Sequence, residues 1–151
     1  MLNLSNCRLT NDTVAAMARS LQTAPSLKVL NLKRNKLSGG KVMKSLGKML
    51  AAQHGLSELI LSENLIKDTL GYLAVTTPDS DRHSQLHVLT EVQAGLEGNT
   101  TLKVIDLSWN RIDDTGVCCM WHYVAADHLV GIRWSALLVD SSTTPRYLHS
   151  I

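Results

Sequence analysis

An eleven-residue spelling, LxxLxLxxNxL, recurs along this chain and leaves little freedom in what it can fold into. It stands at residues 27–37 (LKVLNLKRNKL), 56–66 (LSELILSENLI) and 102–112 (LKVIDLSWNRI). A shortened copy, LNLSNCRL, occupies residues 2–9 with Cys7 in the asparagine slot. Self-similarity of this kind marks a stack of supersecondary units, each unable to bury its apolar face without its neighbours.

The spelling has a physical reason. The LxL centre is a short strand whose alternate side chains point into an interior. Beyond it the chain turns while still buried, so backbone N–H and C=O groups lose water. An inward asparagine bonds both kinds, and stacked repeats give a ladder of such side chains at Cys7, Asn35, Asn64 and Asn110. A thiol at Cys7 is a weaker donor of suitable size. The slots lie 28 residues apart from Cys7 to Asn35 and 29 apart from Asn35 to Asn64, which leaves room for a helix in each repeat.

These residues resemble leucine-rich repeats, and the long period with a cysteine in the slot resembles the ribonuclease-inhibitor-like subclass. The resemblance covers roughly residues 1–117. It implies an α/β fold: a right-handed solenoid bent into a horseshoe arc, with a short parallel sheet on the concave face and helices on the convex face. A fold of this kind does not by itself assign an activity.

In chain order, Val14, Met17, Ala18 and Leu21 fall on one helical face after the turn TNDT, and Pro25 closes that helix. Val42, Met43, Leu46, Met49 and Leu50 make the corresponding face in the second repeat, after Gly39 and Gly40. Leu21, Leu50 and Leu96 each stand six residues before the first leucine of the next copy. Asn64 to Asn110 spans 46 residues, about 17 more than one repeat. The excess, near residues 72–85 and centred on TTPDSDRHS (76–84), reads as a surface insertion ahead of a helix over about 84–97, with Leu89 and Val92 inward. It is either a binding loop or a tolerated extension, since long loops cost little entropy. We divide the chain into about four repeats over 1–117 and a degenerate repeat or cap with a loose tail over 118–151. Residues 114–126 suit a further helix, with Val117, Met120 or Trp121, and Val124 inward. Residues 129–139 thread on the spelling with Trp134 on an inner strand slot and Leu137 for asparagine; unrelated sequence is the other reading. With no element ahead of the first strand, the chain reads as a fragment or isoform of a longer repeat protein.

Charge and cysteine content exclude several classes. A net charge of +2 does not argue for nucleic acid or a membrane surface. The apolar stretch 117–139 is broken by His122, Asp127, His128 and Arg133, which excludes a spanning helix. Three cysteines, two of them adjacent, make no secreted disulfide framework, so a cytoplasmic setting is expected. Cys118, Cys119, His122 and His128 are metal-capable, but adjacent cysteines rarely reach one ion, and helix residues are the simpler reading. No phosphate loop, HExxH or GxSxG stands in the chain, so neither a cofactor nor catalysis is expected.

What remains is a surface. Between inward leucines, alternate strand residues must face the concave side: Asn3 and Ser5; Val29, Asn31 and Lys33; Glu58, Ile60 and Ser62; Val104, Asp106 and Ser108. Arg34, Glu63 and Trp109 follow at one equivalent position. A slot that accepts Arg, Glu and Trp in turn is not packed core, so Trp109 should be partly exposed. The second repeat holds seven basic residues between Lys28 and Lys48 and no acid, with Lys41, Lys44 and Lys48 on an outer helix face. The concave row runs from basic to acidic to acidic-aromatic, which suits protein better than nucleic acid. We therefore expect a non-catalytic module binding a protein partner through Asn31, Lys33, Arg34, Glu58, Ile60, Glu63, Asp106 and Trp109. By resemblance, regulation of an enzyme (activation of a small GTPase or inhibition of another enzyme) is the alternative. A truncated product without separate function is the third reading, in which further repeats of a parent chain are the natural neighbours.

Overall fold

The computed structural model describes residues 1–67, 92, 95, 96 and 99–112, together with the backbone of 131–133. Among the described residues, the elements with defined bounds are five short strands and two helices, in the order β1 (Leu2–Asn3), α1 (Asn11–Leu21), β2 (Val29–Asn31), α2 (Gly40–Ala52), β3 (Glu58–Ile60), β4 (Val104–Asp106) and β5 (Gly131–Arg133). The strands lie side by side in sequence order, every pair parallel. Their register places Leu2 beside Leu30, Leu30 beside Leu59, Leu59 beside Ile105 and Ile105 beside Ile132. The same letter of the spelling thus meets itself in each neighbour. β5 takes the register that threading 129–139 on the motif requires.

Burial follows the same letters. Leu30, Leu32, Leu59, Leu61 and Ile105 are fully buried and Leu107 nearly so, while the residues flanking Leu30, Leu59 and Ile105 are half-buried. On the other side, α2 buries Val42, Met43, Leu46, Met49 and Leu50 completely. In α1 the buried residues are Val14, Ala15 and Ala18, with Met17 and Leu21 packed partly against the core. Complete burial of one such aliphatic side chain stabilises by about 1.5–3 kcal/mol, so one continuous core joins sheet and helices. Val92 and Leu96 are helical and buried in that core, as the six-residue offset to Leu102 requires. The insertion at 76–84, Leu89, the helix over 114–126 and the tail lie outside the described residues.

Local chemistry starts the helices. Thr10 caps α1, its hydroxyl accepting the Thr13 N–H at 3.2 Å. Gly39 precedes α2 with φ of +80°, a conformation that a residue with a Cβ adopts at a cost. Asp12 and Lys41, in the first turns of the two helices, form an exposed ion pair. The hydrogen bond and charge of Lys41 hold the Asp12 carboxyl below the usual carboxylate range.

Two polar ladders close the ends of the sheet. At the strand exits, Asn64 donates through Nδ2 to the carbonyls of Leu32 (3.1 Å), Leu61 (2.8 Å) and Ser62 (3.3 Å). Its Oδ1 accepts the N–H groups of Asn35 and Leu37, both at 3.0 Å. Asn35 does the same one repeat earlier, donating to Leu4, Leu32 and Lys33 and accepting from Cys7 and Leu9. Asn110 repeats it one repeat later, donating to Leu61, Leu107 and Ser108 and accepting from Ile66. All three asparagines are buried. Cys7 departs from the expected inward slot. It is exposed, and its thiol reaches only the Ser5 carbonyl at 3.4 Å, because the short thiol cannot span to two carbonyls as an amide does.

The second ladder, at the strand entrances, is not legible in the repeat spelling. Gln53 donates through Nε2 to the Ala24 carbonyl at 2.7 Å and accepts the N–H groups of Gly55 and Leu56. Asn99, fully buried, donates to the carbonyls of Leu50 (2.7 Å) and Gln53 (2.9 Å) and accepts from Thr101 and Leu102. Each ties the end of one helix to the start of the next strand.

Candidate functional site: the concave sheet face and its strand exits

Strand register aligns Asn3, Asn31, Ile60 and Asp106 in one row across the concave face, with the β5 residue Arg133 next in line. A parallel row holds Val29, Glu58 and Val104. All of the described positions from Val29 onward are half-buried by their lateral neighbours, leaving their outer atoms to solvent.

Beyond the strands the backbone turns sharply into the asparagine slot. Asn6, Arg34, Glu63 and Trp109 occupy this turn in the four copies, with φ of 55°, 58°, 54° and 58°. A left-handed conformation in four non-glycine residues is unusual and costs about 1–3 kcal/mol each, less for asparagine. The ladder asparagine that follows sustains it, because the buried amide requires the chain to enter its slot at that angle. The reversed φ also directs the side chain off the core. Arg34 and Trp109 are exposed, Trp109 to 56%, in keeping with the substitution pattern of that slot.

Charges on this face are tied to one another. Glu63 accepts Lys33 Nζ at 2.7 Å through one carboxylate oxygen and Arg34 Nε at 3.1 Å through the other. The basic end of the row is therefore partly neutralised by its acidic neighbour in the next repeat. Exposed pairs of this kind contribute at most about 1 kcal/mol each to stability. Their effect is to hold Lys33, Arg34 and Glu63 in fixed relative positions.

Two residues expected only to contact a partner also have a structural task. Asn31 Oδ1 accepts the Lys33 N–H and Asp106 Oδ1 accepts the Ser108 N–H, each at 3.0 Å. Asn3 caps Ser5 in the same way at 3.1 Å. Ile60 has no such group. The signal was present in the sequence as an Asx residue at the last strand position, two residues before the N–H it accepts, a spacing that favours a local side-chain turn.

Lys41, Lys44 and Lys48 are exposed on α2, away from the sheet face. Cys118, Cys119, His122 and His128 lie outside the described residues. Among the described residues no group of three metal-capable side chains converges, and no helix is long and apolar enough to cross a membrane.

Two family models match the chain, both described as leucine-rich repeats: one over residues 26–49 and one over 98–119. No curated protein matches it. Among solved structures it is similar to actin-binding site 2 of leiomodin-1, with a TM-score of 0.68 and 15% identity over 91% of this chain and 70% of that one. At that identity the likeness is one of fold.

Proposed function

We propose that this chain, which carries leucine-rich repeats, is a non-catalytic interaction module that takes a protein partner on its concave sheet face. The observation that carries the reading is Trp109, a large aromatic 56% exposed at the exit of β4. It adjoins a face of half-buried Val, Ile, Asn and Asp side chains and a pre-positioned Lys33–Glu63–Arg34 group. An aromatic anchor rimmed by fixed charges is the composition from which protein interfaces draw most of their affinity. The period of 28 to 29 residues supports the ribonuclease-inhibitor-like subclass, whose members bind proteins in this manner.

The test is site-specific photocrosslinking. A photoreactive residue placed at Ile60 or Trp109 should trap a polypeptide that the same residue at Lys48, on the opposite side, does not. With the trapped partner purified, Trp109→Ala should weaken binding about thirtyfold, equivalent to an anchor of about 2 kcal/mol. Actin, after which the similar leiomodin-1 site is named, is a convenient first purified protein to try. Crosslinks from Lys48 alone would move the interface to the helices and end this reading.

A further inference from the structure

Between the strand exits of the first two repeats lies a concavity of about 600 Å³, bounded by Asn6, Arg8, Thr10, Arg34 and Lys36 among others. Its lining holds three cations and no carboxylate. Arg8 and Lys36 occupy equivalent positions, one residue after Cys7 and one after Asn35, and both have left-handed backbones, with φ of 54° and 59°. That conformation turns both side chains outward, and both are exposed. Among the described residues neither forms an ion pair, whereas Lys33, Arg34 and Lys41 do. Arg34 is tied to Glu63 through Nε, which orients its guanidinium at the shared edge of the concavity and the concave sheet face.

Among the described residues the slot after the ladder residue is also basic and exposed at Arg111 in the fourth copy, but only the first two copies, adjacent in the stack, place two such cations side by side. The third copy has Leu65, half-buried, where Arg8 and Lys36 stand. Arg34 is partly neutralised by Glu63, but Arg8 and Lys36 face the same concavity with no carboxylate in its lining; like charges so placed repel, and an incoming anion relieves that repulsion. Arginine adds a planar donor fork suited to carboxylate or phosphate oxygens.

We propose that this concavity is a binding site for an acidic polypeptide segment, one whose clustered carboxylates meet Arg8, Arg34 and Lys36. The inference rests on the protein-binding reading above. It adds that the partner, entering along the concave face past Arg34, is acidic where it leaves the sheet at the first repeat. Charge complementarity at this rim sets partner choice and encounter rate.

The experiment uses the full chain and a fluorescently labelled oligoglutamate, followed by anisotropy at low salt. Arg8→Asn/Lys36→Asn removes two cations while keeping a residue type tolerant of the left-handed backbone. Lys28→Gln/Lys48→Gln removes the same charge elsewhere on the surface. The first pair should weaken oligoglutamate binding about tenfold and the second less than about twofold, with circular dichroism unchanged in both. Equal loss in both pairs would reduce the effect to net charge and overturn the site. Tighter binding of a labelled oligonucleotide than of oligoglutamate, lost in the same Arg8/Lys36 variant, would overturn the ligand class, as would displacement of oligoglutamate by inorganic phosphate at equal concentration. If Trp109 and Ile60 still crosslink a partner while the Arg8/Lys36 variant binds it unchanged, this site fails and the concave face stands. If those crosslinks are absent but oligoglutamate binding follows Arg8 and Lys36, the anion site stands and the concave face fails.

Discussion

Asn64 holds Asn35 by its backbone, the Asn64 Oδ1 accepting the Asn35 N–H at 3.0 Å, while Asn35 applies its own amide to Cys7 one repeat earlier. The strand exits are therefore linked in series. Removing an internal member strips hydrogen bonds from groups in the preceding repeat and at its own strand exit.

Asn64→Leu should be severely destabilising. It leaves two buried N–H groups without their acceptor and removes a donor to the carbonyls of Leu32, Leu61 and Ser62, each unsatisfied group costing about 1–3 kcal/mol. A loss of at least about 3 kcal/mol in urea unfolding is expected. A midpoint equal to that of the wild type would mean that the asparagine is not an internal member of the ladder.

The entrance ladder should matter about as much, although nothing in the leucine spelling marks it. Asn99 bonds the carbonyls of Leu50 and Gln53 at the end of α2 and the N–H groups of Thr101 and Leu102 just ahead of β4. Asn99→Leu should cost about 2 kcal/mol or more, with hydrogen exchange rising first at Thr101 and Leu102. A uniform rise in exchange across the sheet would instead indicate global unfolding.

Glycines divide by position. A Cβ on Gly55 would overlap the backbone carbonyl of Pro25, whereas one on Gly40 meets open space. Gly55→Ala should destabilise by about 2 kcal/mol or more through forced backbone displacement, and Gly40→Ala should be neutral or slightly stabilising. Thermal melts of the two variants side by side decide this. The same logic applies to Gly95, where a Cβ would overlap the Gly47 carbonyl.

Asp106 serves both the strand end and the concave face, and two substitutions separate the roles. Asp106→Asn keeps the acceptor for the Ser108 N–H and removes the charge, so stability should change by less than about 0.5 kcal/mol. Asp106→Ala removes both and should cost about 1 kcal/mol. Partner binding that falls in the Ala variant but not in the Asn variant would assign the residue to structure alone.

Trp109→Ala and Trp109→Asn should both fold, within about 1 kcal/mol of the wild type, since the side chain is exposed and its left-handed backbone suits asparagine better. Loss of partner crosslinking at Ile60 in these folded variants is the expected result. A cooperative unfolding transition that disappears in either one would instead make Trp109 a structural residue.

The sequence alone determined the repeat register, because the spelling is imposed by burial: a slot that always faces a leucine-lined interior accepts a narrow range of shapes. Hence Leu30, Leu59 and Ile105 meet in register, Asn35, Asn64 and Asn110 reach the same carbonyls in successive repeats, and the exposure of Trp109 follows from the Arg34 and Glu63 that share its slot. Tertiary structure decided what depends on distances between repeats. Gln53 and Asn99 are ordinary polar letters until helix ends and strand starts are brought within reach of one amide. Glu63 became the shared partner of Lys33 and Arg34, and Arg8 and Lys36 came to flank one concavity, because stacking places residues 28 or 29 apart in the chain side by side. Exposed charges carry no packing constraint that a pattern could record, so their pairing is visible only once the stack is built.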